Sequence, residues 1–398
     1  MLSWIYQSLL GRFSRVTTQG RMYIPQLDGI RFIALLWVFA FHVAAYVLTR
    51  TGNVWGTTRT NPVIYTFWAG HVGVDLFFMI SGFILVLPFA KQHLLAGKPV
   101  GLGKYFARRL TRLEPPYMIH LFIIFIMWAV FSRHLYAAAP ASNPDWLGNL
   151  PQHLLASVFY SHHFIYQTKP WPNVVLWSLE IEVQFYILAP FLALVFAIGS
   201  RALRRTVIVA GIVVFSGISM WGRDVFLLSH SLLAYLHEFL TDWKTDPPSS
   251  YVWDLLSVVG WTAILFSDFL EGYRVLAISW MMLLVYIGAF RGVLAKRFLS
   301  IPWITTIGGM CCTVYMYHGW LIVAFGRETW RWRTGVLWLD VLQQLALLAI
   351  PCLIVCALLF LVVERPFMKP DWPKRLRARV WPGRRAVEAP QPAKVETL

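Results

Sequence analysis

LDGIRFIALLWVFAFHVAAYVL, residues 27–48, is the stretch on which the fold turns. Ten apolar residues separate Arg31 from His42. A hydrocarbon core of about 30 Å needs roughly 20 mainly apolar residues in helical form, so the stretch reads as a transmembrane helix. At about 1.5 Å of rise per residue, His42 lies roughly 16 Å beyond Arg31 along that helix. Ionisable groups inside a bilayer are expensive, and they mark either a functional site or a packed polar pair.

The same pattern recurs along the chain. Eight further apolar segments are long enough to span, at 68–90, 117–133, 174–198, 205–222, 251–267, 274–291, 303–325 and 338–363, beside the first at 30–49. A tenth, 225–240, is short and carries His230, His237 and Glu238. Of the 398 residues, 58% are hydrophobic and 14% charged. Soluble domains carry about 25% charge, so these values exclude an ordinary soluble enzyme, a disordered chain and a disulfide scaffold. The net charge of +16 sorts by side. With ten spans, 25 cations fall on the face shared with the termini and nine on the other, with Arg31 at a helix end. Nine spans would move the tail and the 291–302 loop across and spoil that asymmetry. Cationic loops stay cytoplasmic, so the expectation is an all-α polytopic membrane protein of about ten helices with both termini inside.

Three regions follow. Residues 1–24, with Trp4, Ile5, Leu9 and Leu10 beside Arg12, Arg15 and Arg21, read as an interfacial amphipathic segment rather than a cleavable signal. Residues 25–366 form the transmembrane domain. Residues 367–398, rich in Pro and Arg, read as a disordered cytoplasmic tail against anionic lipid. Cys311, Cys312, Cys352 and Cys356 all fall within predicted spans, where no structural disulfide is expected.

Few ionisable residues lie deep. Besides Arg31 and His42 they are His71 and Asp75 on the second span, Glu180 and Glu182 on the fourth and His318 on the ninth. Span directions place His42, His71, Asp75, Glu182 and His318 at similar depth in the outer half. On the opposite face, KYFARRLTRLEPPY at 104–117 sets Arg108 and Arg112 at i, i+4 and Arg109 and Arg112 at i, i+3, within reach of one another if helical. Such an array can bind phosphate bidentately, although it also serves as a topological signal. His162 and His163 lack zinc-type ligand spacing, and no metal is expected.

Taken together these motifs resemble the acyltransferase 3 family of bacterial integral-membrane enzymes that acylate sugars of surface glycans. Arg31 and His42 match its Arg, ten residues, His pattern; GHVGVDLFFMISGFIL is similar to its GVDxFFxxSGF; Arg109, Arg112, Pro115 and Tyr117 fit RxxRxxPxY. LWSLEIEVQFYILAP resembles WSLxxExQFYLxxP and places the acid on Glu182; Tyr315 and His318 match a YLxH ending, and VERPF the closing motif. The matches run in order from 25 to 366. Two departures stand out: Ile30-Arg31-Phe32 replaces Leu-Arg-Gly, and Cys311-Cys312 replaces Ser-Tyr.

The resemblance implies a membrane-bound O-acyltransferase of the bacterial inner membrane. It would transfer an acyl group, acetyl in the first instance, from cytoplasmic acyl-CoA to a sugar hydroxyl of an exported or lipid-linked polysaccharide. Acetyl-CoA is then a donor substrate, with no tightly bound cofactor and no nucleic acid partner. Arg109 and Arg112, with Arg108, Lys104 and Arg31, are the candidates for holding the donor. His42 is the candidate general base or transient acyl carrier, and Glu182 is expected to orient an imidazole. Asp75, His71 and His318 are further members of that network. The alternative is a transporter or flippase in which His, Asp and Glu relay protons, although the two halves show no convincing repeat.

Overall fold

Helix α1, Pro25–Thr51, is the axis of the molecule. Proline at its first turn suits a helix start, and Gly52, in the left-handed region at φ 71°, ends it by donating its N–H to the Leu48 and Thr49 carbonyls. Ile30, Ala34, Val38, Val43 and Val47 are fully or almost fully buried, so α1 faces protein rather than lipid for most of its length.

The computed structural model describes residues 11, 13–14, 23–53, 61–135, 150–166, 170, 173–220, 249–369 and 371–380. The described helices after α1 are α2 Pro62–Trp68, α3 Gly73–Leu94, α4 Leu102–Leu135, α5 Leu150–Val158, α6 His162–Tyr166, α7 Trp177–Leu192 and α8 Arg201–Met220. There follow α9 Tyr251–Leu265, α10 Arg274–Arg291, α11 Val293–Leu299, α12 Pro302–Gly309, α13 Cys311–Thr329, α14 Leu337–Leu359 and α15 Trp372–Val380. No strand occurs among the described residues.

Small residues bring the partners onto α1, as expected where lipid supplies no hydrophobic drive between helices. A side chain at Gly73 would collide with the Ala34 carbonyl, and one at Gly308 with the Asp28 carbonyl. Hence α3 and α12 pack backbone to backbone against α1 from two sides. A turn of 3-10 helix, Ala69–Val72, joins α2 to α3 into one apolar unit.

Among the described residues five helical units are long and apolar enough to cross a membrane, and two bent pairs bring the number to seven. The protein is therefore an all-helical, multi-pass membrane protein. Segment 225–240, on which the count of ten turns, lies outside the described residues, as does nearly all of the 1–22 segment.

Four features go beyond the sequence reading. The ninth span is not one helix: α12 and α13 meet at Met310 with a 72° bend, after Gly308 and Gly309. A second break at Gly292 turns α10 into α11 by 84°, and Asp254 of α9 fastens it by accepting from the N–H groups of Val293, Leu294 and Ala295 at 2.9, 3.1 and 2.9 Å. The basic run 104–117 is not a loop but the start of the 34-residue α4, with Pro115 and Pro116 inside it. The tail read as disordered begins with α15, whose Trp372 indole donates to the Thr111 carbonyl of α4 at 2.8 Å.

Candidate active site

The amphipathic opening of α4 carries its arginines to the wall of a cavity of about 220 Å³. Arg108, Arg109 and Arg112 line it, and Arg31 of α1 faces them from another wall. The remaining walls come from α3, α7, the α12–α13 break and Glu364. Lys104 lies one turn earlier on α4, exposed, and is not part of the lining. Thus the four arginines singled out in sequence converge although they sit on two separate helices.

Each arginine is steered locally. Arg31 forms an ion pair with Asp28, three residues before it on α1. The Arg109 guanidinium lies 4.2 Å from the ring centroid of Tyr105 and 6.0 Å from that of Tyr186, a cation–π arrangement that holds it against the wall. Four guanidinium groups against the carboxylates of Glu182 and Glu364 leave the lining cationic.

Glu182 belongs to this cavity and not to an imidazole. Its Oε1 accepts from Ser81 Oγ at 2.8 Å and from Tyr186 Oη at 3.1 Å. The sequence reading set it to orient an imidazole, and the structure gives it hydroxyl partners instead. Helix α7 starts inside the protein: the residues leading into it, Asn173, Val175 and Leu176, are buried. Asn173 reaches from there to His120 at 2.8 Å and to the Met316 carbonyl at 2.9 Å.

The α12–α13 break brings a helix N-terminus to the same cavity, with Cys311, Cys312 and Tyr315 in the lining. Glu364 caps that helix, Oε2 accepting from the Thr313 N–H at 3.0 Å and from Thr313 Oγ1 at 2.5 Å. A π-helical turn, Phe360–Glu364, swings the carboxylate into place after α14. The cysteines are free thiols.

One turn along α13 from Tyr315 stands His318, fully buried, in contact with His42 of α1. Their hydrogen bonds define the tautomers. His318 Nδ1 faces the Tyr315 carbonyl at 2.7 Å and that of Val314 at 3.1 Å, and a carbonyl only accepts, so Nδ1 carries the proton. Neutral His318 then presents a lone pair on Nε2, 3.2 Å from His42 Nδ1. His42 Nδ1 also faces the Val38 carbonyl at 2.8 Å. Both neighbours of that nitrogen are acceptors, so Nδ1 is protonated and the basic lone pair of His42 is on Nε2.

His71 and Asp75 form a second polar cluster with two residues that the sequence reading passed over. His71 Nδ1 donates to the Trp68 carbonyl at 2.6 Å while its Nε2 lies 3.8 Å from Asp268. Arg274 bridges Asp268 at 3.0 Å and Asp75 at 3.9 Å. Phe41 separates this cluster from His42, its ring 5.1 Å from His42 and 6.1 Å from His71. The acids and imidazoles expected in one network thus occupy three places. Among the residues not foreseen, Asp28 was legible as the i−3 partner of Arg31, and Ser81, Tyr186 and Glu364 were visible only as packing or motif residues.

The acyltransferase 3 family model, described as an acyltransferase domain, matches residues 24–363. Peptidoglycan O-acetyltransferase OatA of Listeria monocytogenes is 29% identical over 194 residues, 46% of this chain and 26% of that protein. O-acetyltransferase OatA of Staphylococcus aureus is 26% identical over 177 residues, 42% of this chain and 24% of that protein. This chain spans about a quarter of the length of the curated relatives that it matches. No solved structure matches it. The family match extends over nearly every helix that lines the cavity: the chain belongs to the acyltransferase 3 family.

Proposed function

We propose that the protein moves an acetyl group from cytoplasmic acetyl-CoA to a sugar hydroxyl of an exported or lipid-linked polysaccharide at the bacterial inner membrane. The observation that carries this is the convergence of Arg31, Arg108, Arg109 and Arg112 on one cavity whose wall, at Tyr315, adjoins the His318–His42 pair. The arginines hold the phosphates of the donor, and the pantetheine arm extends along α1 toward His42. The roughly 16 Å of helix between Arg31 and His42 is a distance that an extended arm can cover, whereas a single rigid side chain cannot. The relatives' names, O-acetyltransferases with one acting on peptidoglycan, support a glycan acceptor.

In the direct route the hydroxyl oxygen attacks the thioester carbonyl carbon while His42 Nε2 takes its proton. The tetrahedral intermediate then collapses, the C–S bond breaks, and the imidazolium returns a proton to the departing CoA thiolate. In the stepwise route Nε2 itself attacks the thioester carbonyl carbon and the C–S bond breaks, giving an acyl-imidazolium and the CoA thiolate; the hydroxyl oxygen then attacks the acyl carbon, the C–N bond breaks, and the hydroxyl proton ends on the thiolate. Both routes need the Nδ1-protonated tautomer that Val38 and His318 hold. Tyr315 and the polar residues of α7 line the approach to the reacting carbonyl.

Purified protein in detergent with labelled acetyl-CoA and a membrane glycan fraction tests the proposal. Labelled glycan and free CoA are the expected products of the wild-type protein, and His42→Ala should lose at least about a hundredfold in turnover while still binding donor. Arg109→Ala with Arg112→Ala should instead raise KM for the donor with a smaller change in kcat. Reversal of those two patterns would overturn the assigned roles, and no CoA release by the wild-type protein would overturn the proposal itself.

A further inference from the structure

The cavity stops one helical turn short of the histidine pair, and two aromatic side chains make the stop. Tyr315 lines the cavity and is only 7% exposed. His318, three residues further along α13, has no exposed surface and is not part of the lining. The Tyr315 and His318 rings stand 5.8 Å apart, so the tyrosine ring is the partition between cavity and imidazole.

This partition is held in place. The Tyr315 hydroxyl lies 2.7 Å from Ser178 Oγ. Ser178 spends its own proton on the Val175 carbonyl at 3.2 Å, so the tyrosine donates and the serine accepts. Phe77 of α3, also in the cavity wall, packs its ring edge-to-face on Tyr315 with centroids 5.6 Å apart. Behind it the Tyr315 carbonyl fixes His318 Nδ1. Tyr315 is thus anchored at its hydroxyl by α7 and at its ring by α3, while its carbonyl fixes His318 on its own helix.

We propose that Phe77 and Tyr315 determine the length of acyl chain that the enzyme takes, admitting acetyl and similarly short groups and rejecting longer ones. The inference rests on the donor reading above. If the phosphates of acyl-CoA sit among the arginines, the thioester must lie at the opposite end of the cavity, next to this ring pair. The acyl group projects beyond the sulfur, and every added methylene has to displace a ring that is both packed and hydrogen-bonded. Close-packed walls do not give way to extra methylenes without strain. Removing the Phe77 ring opens space directly beside the acyl carbon chain, whereas removing only the Tyr315 hydroxyl frees that ring to swing without emptying its volume.

Competition against labelled acetyl-CoA measures this directly, with CoA, acetyl-CoA, butanoyl-CoA and hexanoyl-CoA as the probes. The full-length wild-type protein is compared with Phe77→Ala, Phe77→Leu and Tyr315→Phe. Affinities are expressed relative to that of CoA for the same variant, so that a general folding defect, which weakens all ligands alike, cancels. For the wild-type protein the hexanoyl ester should bind at least about tenfold more weakly than the acetyl ester, given that one methylene in a shaped pocket changes affinity by roughly tenfold or more. Phe77→Ala should recover about tenfold for hexanoyl-CoA, with Phe77→Leu and Tyr315→Phe recovering less. Equal affinity of the wild-type protein for all chain lengths, or an unchanged hexanoyl-to-acetyl ratio in Phe77→Ala, would overturn the inference while leaving the donor reading intact. Failure of the wild-type protein to bind any CoA ester would overturn the donor reading and this inference together.

Discussion

At the scale of residues, the central feature is an imidazole whose tautomer is set by what surrounds it. Val38 and His318 both present acceptors to His42 Nδ1, and the backbone of α13 keeps His318 in the matching form. His318→Leu should therefore lower kcat by about tenfold, well short of the loss in His42→Ala, because the Val38 carbonyl still holds the proton on Nδ1. Steady-state release of CoA by the two variants checks this ordering. Arg31 and His42 were legible in sequence, since an ionisable side chain in an apolar run stands out whatever the fold, and Arg109 and Arg112 by their helical spacing in a basic run. Glu182 was legible as an unusual residue and yet was placed beside the wrong partners. Sequence spacing measures depth along one helix from an assumed surface, and α7 starts from a buried turn instead.

At the scale of elements, helix breaks build the site. Had residues 303–325 formed one straight helix, Cys311 and Thr313 would have no free N-terminal turn, and Glu364 would have nothing to cap. The 72° bend gives the cavity its wall at Tyr315 and leaves α12 free to lie against α1. That contact tolerates no side chain at Gly308, where an added Cβ would overlap the Asp28 carbonyl. Gly308→Val should cost most of the folded, monodisperse protein in size-exclusion chromatography. Gly211→Ala, where nothing stands within 4 Å of the new Cβ, should leave the elution profile unchanged. The bend itself was not readable, because hydropathy averages over a window and the Gly308-Gly309 pair barely lowers it. The helical nature of 104–117 was half visible in the i, i+4 arginines, and the structure carries that helix on through Pro115 and Pro116.

At the scale of the whole molecule, the 25-to-9 division of cations predicts that the arginine cavity opens to the cytoplasm. Labelling with a membrane-impermeant thiol reagent tests it, using the wild-type protein with its four native cysteines as the blank. Gly103→Cys, in the first turn of α4, should react only after the membrane is opened, and Asn53→Cys, just past α1, should react in intact spheroplasts. The opposite pattern would invert the orientation and with it the side from which the donor enters. By itself the sequence determined the class of molecule, the course of most spans and the identity of the exceptional residues, because the cost of placing charge in hydrocarbon is written directly into composition and periodicity. Which of those residues meet was decided only by the tertiary structure. Arg31 and Arg109 come to line one cavity, and His42 reaches His318 across 276 positions of chain, through backbone approaches at single glycines and a bend after two of them. No one-dimensional pattern encodes such contacts, since they depend on how closely two helices can come and where one of them stops.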